Sequence, residues 1–216
     1  MPENLIVPIV MLLVLVFMGW FVVGTQWNVR RGDHVLKWLR QGLPLVGERT
    51  TMRWLGSSVV ELKMTKAKDP FRTVETLVVF EPRDIAFLWA WARLRGRRDL
   101  LIFRSQLRSA PSFEMEAYDP HGWTAPNVRQ KTKDWTPLDL SAMSPMVGYY
   151  SGDSGASAAT RLVDLASRSG GKLVRLSVHR SVPNLEVHWL LPDPGSLSAR
   201  DLFLKVRQLS EEVTRQ

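Results

Sequence analysis

The chain has 216 residues, 45% of them hydrophobic and 23% charged, enough for one domain plus a segment and too apolar for intrinsic disorder. It has no cysteine, which excludes disulfide frameworks, thiolate catalysis and Cys-based zinc or iron–sulfur centres. Lys and Arg number 29 against 21 Asp and Glu, and the net charge of +8 suits an anionic surface or partner.

After a tail of residues 1–4, Leu5 to Thr25 reads LIVPIVMLLVLVFMGWFVVGT, and no charged residue occurs from Asn4 to Val29. As a helix rising about 1.5 Å per residue, that run reaches about 31 Å, the thickness of a bilayer's hydrocarbon core. Residues 5–27 are therefore expected to form a transmembrane helix. Pro8 is assigned to its first turn, and Trp20 and Trp27 to the aromatic belt at one end. A cleaved signal peptide fits badly, because no basic segment precedes the run and no A-x-A site follows it. The flanks set the orientation. Glu3 stands alone on one side, while Arg30, Arg31, Lys37 and Arg40 follow on the other, so the N-terminus is expected outside and the rest in the cytoplasm.

Residues 28–48 read as a basic, amphipathic juxtamembrane segment. Asp33 can cap a short helix, His34 to Gln41, closed by Gly42. Val35, Leu36, Trp38 and Leu39 would share one side of it, and His34, Lys37, Arg40 and Gln41 the other. Two placements stay open. The helix can lie among anionic headgroups, with Trp20, Trp27, Arg30, Arg31, Lys37, Trp38 and Arg40 at the membrane interface. Alternatively, its apolar side docks on the domain that follows.

From residue 49 to 216 the pattern becomes short strands and helices. Strands are predicted over Met52–Met64 (broken at Gly56), Val74–Phe80, Leu100–Leu107, Phe113–Tyr118, Leu173–His179 and Leu185–Leu191. Helices are predicted over Asp84–Arg95, Ala158–Ser169 and Ala199–Val213, with Asp84 as one N-cap, Gly170-Gly171 as a stop and Ser198–Asp201 as a capping box. Ala199, Leu202, Val206, Leu209 and Val213 make an apolar stripe for packing on the sheet. The expected fold is α+β, an antiparallel sheet with helices on one face, ferredoxin-like or an elaboration of it. Arg108–Met115 and Arg180–Val187 match at four of eight positions, which suggests two helix–strand–turn–strand units. In the second, Val178 should oppose Leu185, Leu176 oppose Val187 and Val174 oppose Trp189. Residues 119–157, rich in Pro, Gly and aromatics, read as a long irregular connection, either a packed excursion or a binding arm.

No catalytic set assembles from the sequence. Gly152-Asp153-Ser154-Gly155 resembles the serine segment of trypsin-like proteases over four residues only, without the glycine that should follow. The chain also lacks the length and strand pattern of a double barrel. A turn leading into the helix at Ala158, capped by Ser154 or Ser157, is the reading preferred. His179 and His188 read as surface residues on a hairpin's polar face, His121 as isolated in a turn, and Glu114 and Glu116 as solvated surface. No cofactor or metal is implied. The helix containing Phe87, Trp89 and Trp91 is apolar nearly all round and runs into Arg93, Arg95, Arg97 and Arg98, the densest positive cluster. Burial as a core helix is preferred for it, with an interfacial wedge as the alternative.

Together these features predict a single-pass, non-catalytic membrane protein whose cytoplasmic domain docks other subunits of a membrane complex. A membrane-tethered nucleic-acid-binding protein is second, with Lys63, Lys66, Lys68 and Arg72 as a further basic patch. An enzyme on a phosphorylated or lipid substrate, working through Tyr149–Ser157, is third.

Overall fold

One helix, α1, runs without a break from Glu3 to Leu39 in the computed structural model, which describes residues 3–152 and 155–215. At 1.5 Å per residue it is about 55 Å long. Residues 5–23 touch little else and are exposed throughout, and this stretch is long and apolar enough to cross a membrane. Beyond it the helix changes character. Gly24, Asn28, Gly32, Val35 and Leu39 are buried, a spacing of three and four residues that places all five on one side. The separate helix from His34 to Gln41 does not form, because this stripe continues through Asp33 and keeps the helix docked. Of the two placements, the domain takes the apolar side. Val35, Trp38 and Leu39 are buried, and Trp38 Nε1 donates to Leu197 O at 2.7 Å. Pro8 falls in the second turn rather than the first, since α1 starts at Glu3.

The domain is a nine-stranded sheet in which every neighbouring pair is antiparallel. Its strands are β1 Thr50–Leu55, β2 Val59–Met64, β3 Phe71–Val79, β4 Leu100–Leu107, β5 Glu114–Tyr118, β6 Thr136–Leu138, β7 Val147–Ser151, β8 Leu173–Val178 and β9 Leu185–Leu190. Their order is β1-β2-β3-β4-β9-β8-β5-β7-β6. The remaining helices are α2 Ala86–Leu94, α3 Ala125–Lys131, α4 Gly155–Ser167 and α5 Ala199–Thr214. The α+β class is as expected. A ferredoxin-like arrangement is not: α2 joins β3 and β4, which are direct neighbours, whereas a split βαβ unit keeps its two strands apart. β1 and β2 meet at Gly56, whose φ of +72° suits glycine.

The core lies on one face. Ala159, Leu162, Val163 and Ala166 of α4 and all five stripe residues of α5 are buried there with Val35, Trp38 and Leu39 of α1. They cover Val60, Val78, Phe103, Met115, Leu176, Val187 and Trp189 from the strands. Trp189 is fully buried beneath α4, its Nε1 directed at Ala166 O. At 25 cal/mol per Å², each such side chain adds about 1.5–3 kcal/mol to folding.

Several local expectations change. β4 and β5 do not pair, because the β8–β9 hairpin inserts between them. The matched octapeptides thus mark two turns of unlike construction and no duplicated unit. In β8–β9 the pairs Val178↔Leu185 and Leu176↔Val187 hold, but a bulge between Leu173 and Arg175 puts Leu173 opposite Trp189. The bulge turns Val174 to the opposite face, into a small cluster with Leu77, Leu100 and Ile102. Residues 119–157 are far from irregular, since α3, β6 and β7 lie within them and extend the sheet by two strands. Asp84 does not cap α2; its Oδ2 accepts from Ser57 Oγ at 2.6 Å. Ser198 is the N-cap residue of α5 but makes no side-chain cap. α4 starts at Gly155, so Ser157 lies inside its first turn, while Asp153 and Ser154 are outside the described residues.

Candidate functional site

β3 ends where β4 begins, with Val79 opposite Leu100, so residues 80–99 must project past the end of the sheet. That projection carries α2, and it lies against α1 where the apolar half ends. Gly24 makes the approach possible: a Cβ there would stand 2.1 Å from Arg83 O. Trp20 Nε1 donates to the same carbonyl at 2.9 Å.

A buried ionic cluster locks this junction. Asp99 accepts both Nη1 and Nη2 of Arg83, at 3.0 and 3.1 Å, a bidentate fork. It also accepts the Glu81 backbone N–H at 2.8 Å and pairs with Arg31 Nε at 2.8 Å. Asn28, fully buried in α1, donates to Glu81 O at 3.1 Å and accepts from Arg83 Nη1 at 3.1 Å. Glu81, itself buried, takes Trp89 Nε1 at 2.6 Å and Arg93 Nη1 at 3.1 Å. Every carboxylate is engaged by cations and N–H donors. The cluster therefore clamps α1, α2 and the end of the sheet together and leaves no free acid or base. Breaking such a buried network by removing one partner costs about 3–5 kcal/mol.

α2 is not the core helix expected. Only Ala92 is buried in it, because the sheet's core face is already filled by α4, α5 and α1. Phe87, Trp91 and Leu94 point outward, 71%, 52% and 88% exposed. Arg93 is partly neutralised by Glu81. The Arg95 guanidinium sits 4.2 Å from the Trp91 ring centre and that of Arg97 sits 4.9 Å from the Trp123 ring. Arg98 donates to the Arg93 and Arg97 carbonyls. Among the described residues, Arg95, Arg97 and Arg98 form no ion pair. The other basic residues scatter. Arg30 and Lys37 are exposed along α1 and Arg40 just past its end, Arg31 is held by Asp99, and the Arg83 guanidinium lies 5.6 Å from the ring of Trp27. Trp38 is buried and has no surface to offer.

A second polar cluster occupies the sheet face opposite the core. Glu116 is completely buried. Arg175 grips it with Nη2 at 2.6 Å and Nε at 2.9 Å, Ser177 Oγ donates at 3.0 Å, and His179 Nε2 lies 3.0 Å away. Glu186 meets Arg104 Nε at 2.9 Å and His188 Nε2 at 2.5 Å. Burial alone would raise both carboxyls. The hydrogen bonds and charges of His179 and Arg175 outweigh it at Glu116, whose pKa is lowered. At Glu186 those of His188, Arg104 and Arg175 bring the pKa down to about 2. The bond to Glu116 raises His179 above its ordinary value, against the opposing effect of burial. A depression of about 370 Å³ beside this cluster is lined by Lys63, Glu75, Arg104, Gln106 and Glu186 among others. Its charges are of both signs, and Arg104 and Glu186 pair with each other there.

This cluster corrects the reading of Glu116 and His188 as surface residues; both are buried, and His179 is half-buried. Alternation on each strand was visible, but the pairing of Glu116 with Arg175 joins residues 59 apart, which no local pattern reveals. Among the described residues, no group of three or more His, Cys, Asp or Glu is placed to hold a metal ion. No protein-family model and no curated protein matches the chain.

Proposed function

We propose that the chain is a single-pass membrane protein, N-terminus outside, whose cytoplasmic α+β domain serves without catalysis as an assembly or docking subunit of a larger membrane complex. The observation that carries this reading is the continuity of α1. Its apolar half is exposed over residues 5–23, and its other half is built into the domain through Gly24, Asn28, Gly32, Val35 and Leu39. A domain fixed rigidly to its anchor holds a defined height and rotation relative to the bilayer, which a docking subunit needs and a flexibly tethered enzyme does not. The polar clusters support the same reading, since their charged groups satisfy each other. The sheet also ends on β1, whose outer edge has no strand partner among the described residues and is open to another chain.

Extraction of the full-length protein from its own membranes in mild detergent tests this. A native mass well above one 24.6 kDa chain, with stoichiometric partners, is expected. A partnerless monomer refutes it.

A further inference from the structure

We propose that α2 is a second membrane element, an in-plane helix that seats Phe87, Trp91 and Leu94 at the headgroup–acyl boundary and places Arg95, Arg97 and Arg98 on anionic lipid phosphates. The proposal rests on the reading of α1 as a span and adds a contact that α1 alone does not provide.

Polarity carries the first step. Phe87, Trp91 and Leu94 follow one another at four and three residues, so they form one stripe on a helix. In a helix of a soluble domain that stripe turns inward; here it is the exposed side, and among the described residues no other apolar side chain buries it. The helix sits in an excursion from the sheet end, held by the Glu81–Arg83–Asp99 clamp, so its outward stripe is built in and not a frayed end.

Depth carries the second. Trp89 of α2 packs on Trp20 of α1, ring centres 6.2 Å apart. Trp20 lies five residues before Thr25, the end of the apolar run, or about 7 Å along the helix axis. Interfacial helices bury their apolar side about 5–10 Å into the boundary, the same level. Charge supplies the third step. The guanidiniums of Arg95 and Arg97 are stacked on Trp91 and Trp123 and have no carboxylate partner among the described residues. Guanidinium suits phosphate geometry, and each basic residue near an anionic leaflet adds about 1 kcal/mol.

The absence of cysteine makes spin labelling direct. Single cysteines at Leu12, Phe87, Leu94 and Val182 would carry nitroxides in full-length protein reconstituted into phosphatidylcholine vesicles with and without phosphatidylserine. Val182, in the β8–β9 turn, lies at the opposite end of the sheet from α2. Collision with oxygen should exceed collision with a water-soluble nickel chelate several-fold at Leu12, Phe87 and Leu94, and the reverse should hold at Val182. Arg95→Ser, Arg97→Ser and Arg98→Ser together should shift Leu94 toward water in the anionic vesicles. Leu94 and Phe87 as aqueous as Val182, with Leu12 still in lipid, would overturn the role of α2 alone. Leu12 in water would overturn both it and the span. Loss of both collision rates at Leu94, the mark of a second copy covering it, would also overturn it. So would immobilisation by added single-stranded DNA in place of lipid.

Discussion

His179 and the carboxylates around it make the stability of the domain depend on pH in both directions. Glu116 and Glu186 have lowered pKa values, so their contribution is complete above the ordinary 4.5 and fades as pH falls, for Glu186 through about 2. His179 is raised, so its contribution is complete below the ordinary 6.5 and fades as pH rises through the folded value. Thermal unfolding of the full chain in detergent should therefore be highest between about pH 4.5 and 6.5 and decline on each side. His179→Gln should flatten the alkaline decline and, because His179 also helps lower Glu116, weaken the acid one while leaving the part due to Glu186. An unchanged alkaline decline would remove His179 from the account. At this scale the sequence is least legible. Trp20, Arg31 and the arginines after α2 stood out by type, but Glu81, Arg83 and Asp99 form their clamp only when β3, β4 and α1 converge.

Elements were far more legible, since periodicity is a local property. β4 matches its expected bounds, and β2, β3, β8, β9 and α5 fall within a few residues of theirs. The failures share a cause. The break expected in α1 at Asp33 rests on a local capping signal and the interior position expected for α2 on its apolar composition, while neighbours decide both. A stripe of Gly24, Asn28 and Gly32 reads as unremarkable until Arg83 and the Trp54 ring fill the space over the two glycines. Two alanines inserted after Gln26 would turn Asn28, Gly32, Val35 and Leu39 by about 200° relative to Gly24 and the apolar half. Residues 28–39 can stay docked only if the helix breaks at the insertion. Protease should then cut α1 near the insertion in detergent, while the parent resists; an insertion variant equally resistant would show that the continuous helix is unnecessary.

For the molecule as a whole, class was legible and topology was not. Alternating apolar strands with three helices imply an α+β sandwich. Sheet order, by contrast, depends on long-range pairing: the β8–β9 hairpin enters between β4 and β5, and residues 119–157, whose composition suggests an irregular connection, supply the two strands at the far edge. The resulting body places its helices α4 and α5 on one face, its ionic cluster on the other, and α2 beside the apolar half of α1 at one end. A membrane at that end would account together for the exposed aromatics, the bare helix and the arginines that have no carboxylate partner among the described residues. The decisive measurement is labelling of Arg200→Cys, exposed on α5, with a membrane-impermeant maleimide. The protein should stay unlabelled in intact cells and react fully once the membrane is permeabilised; labelling in intact cells would place the domain on the wrong side and contradict the account.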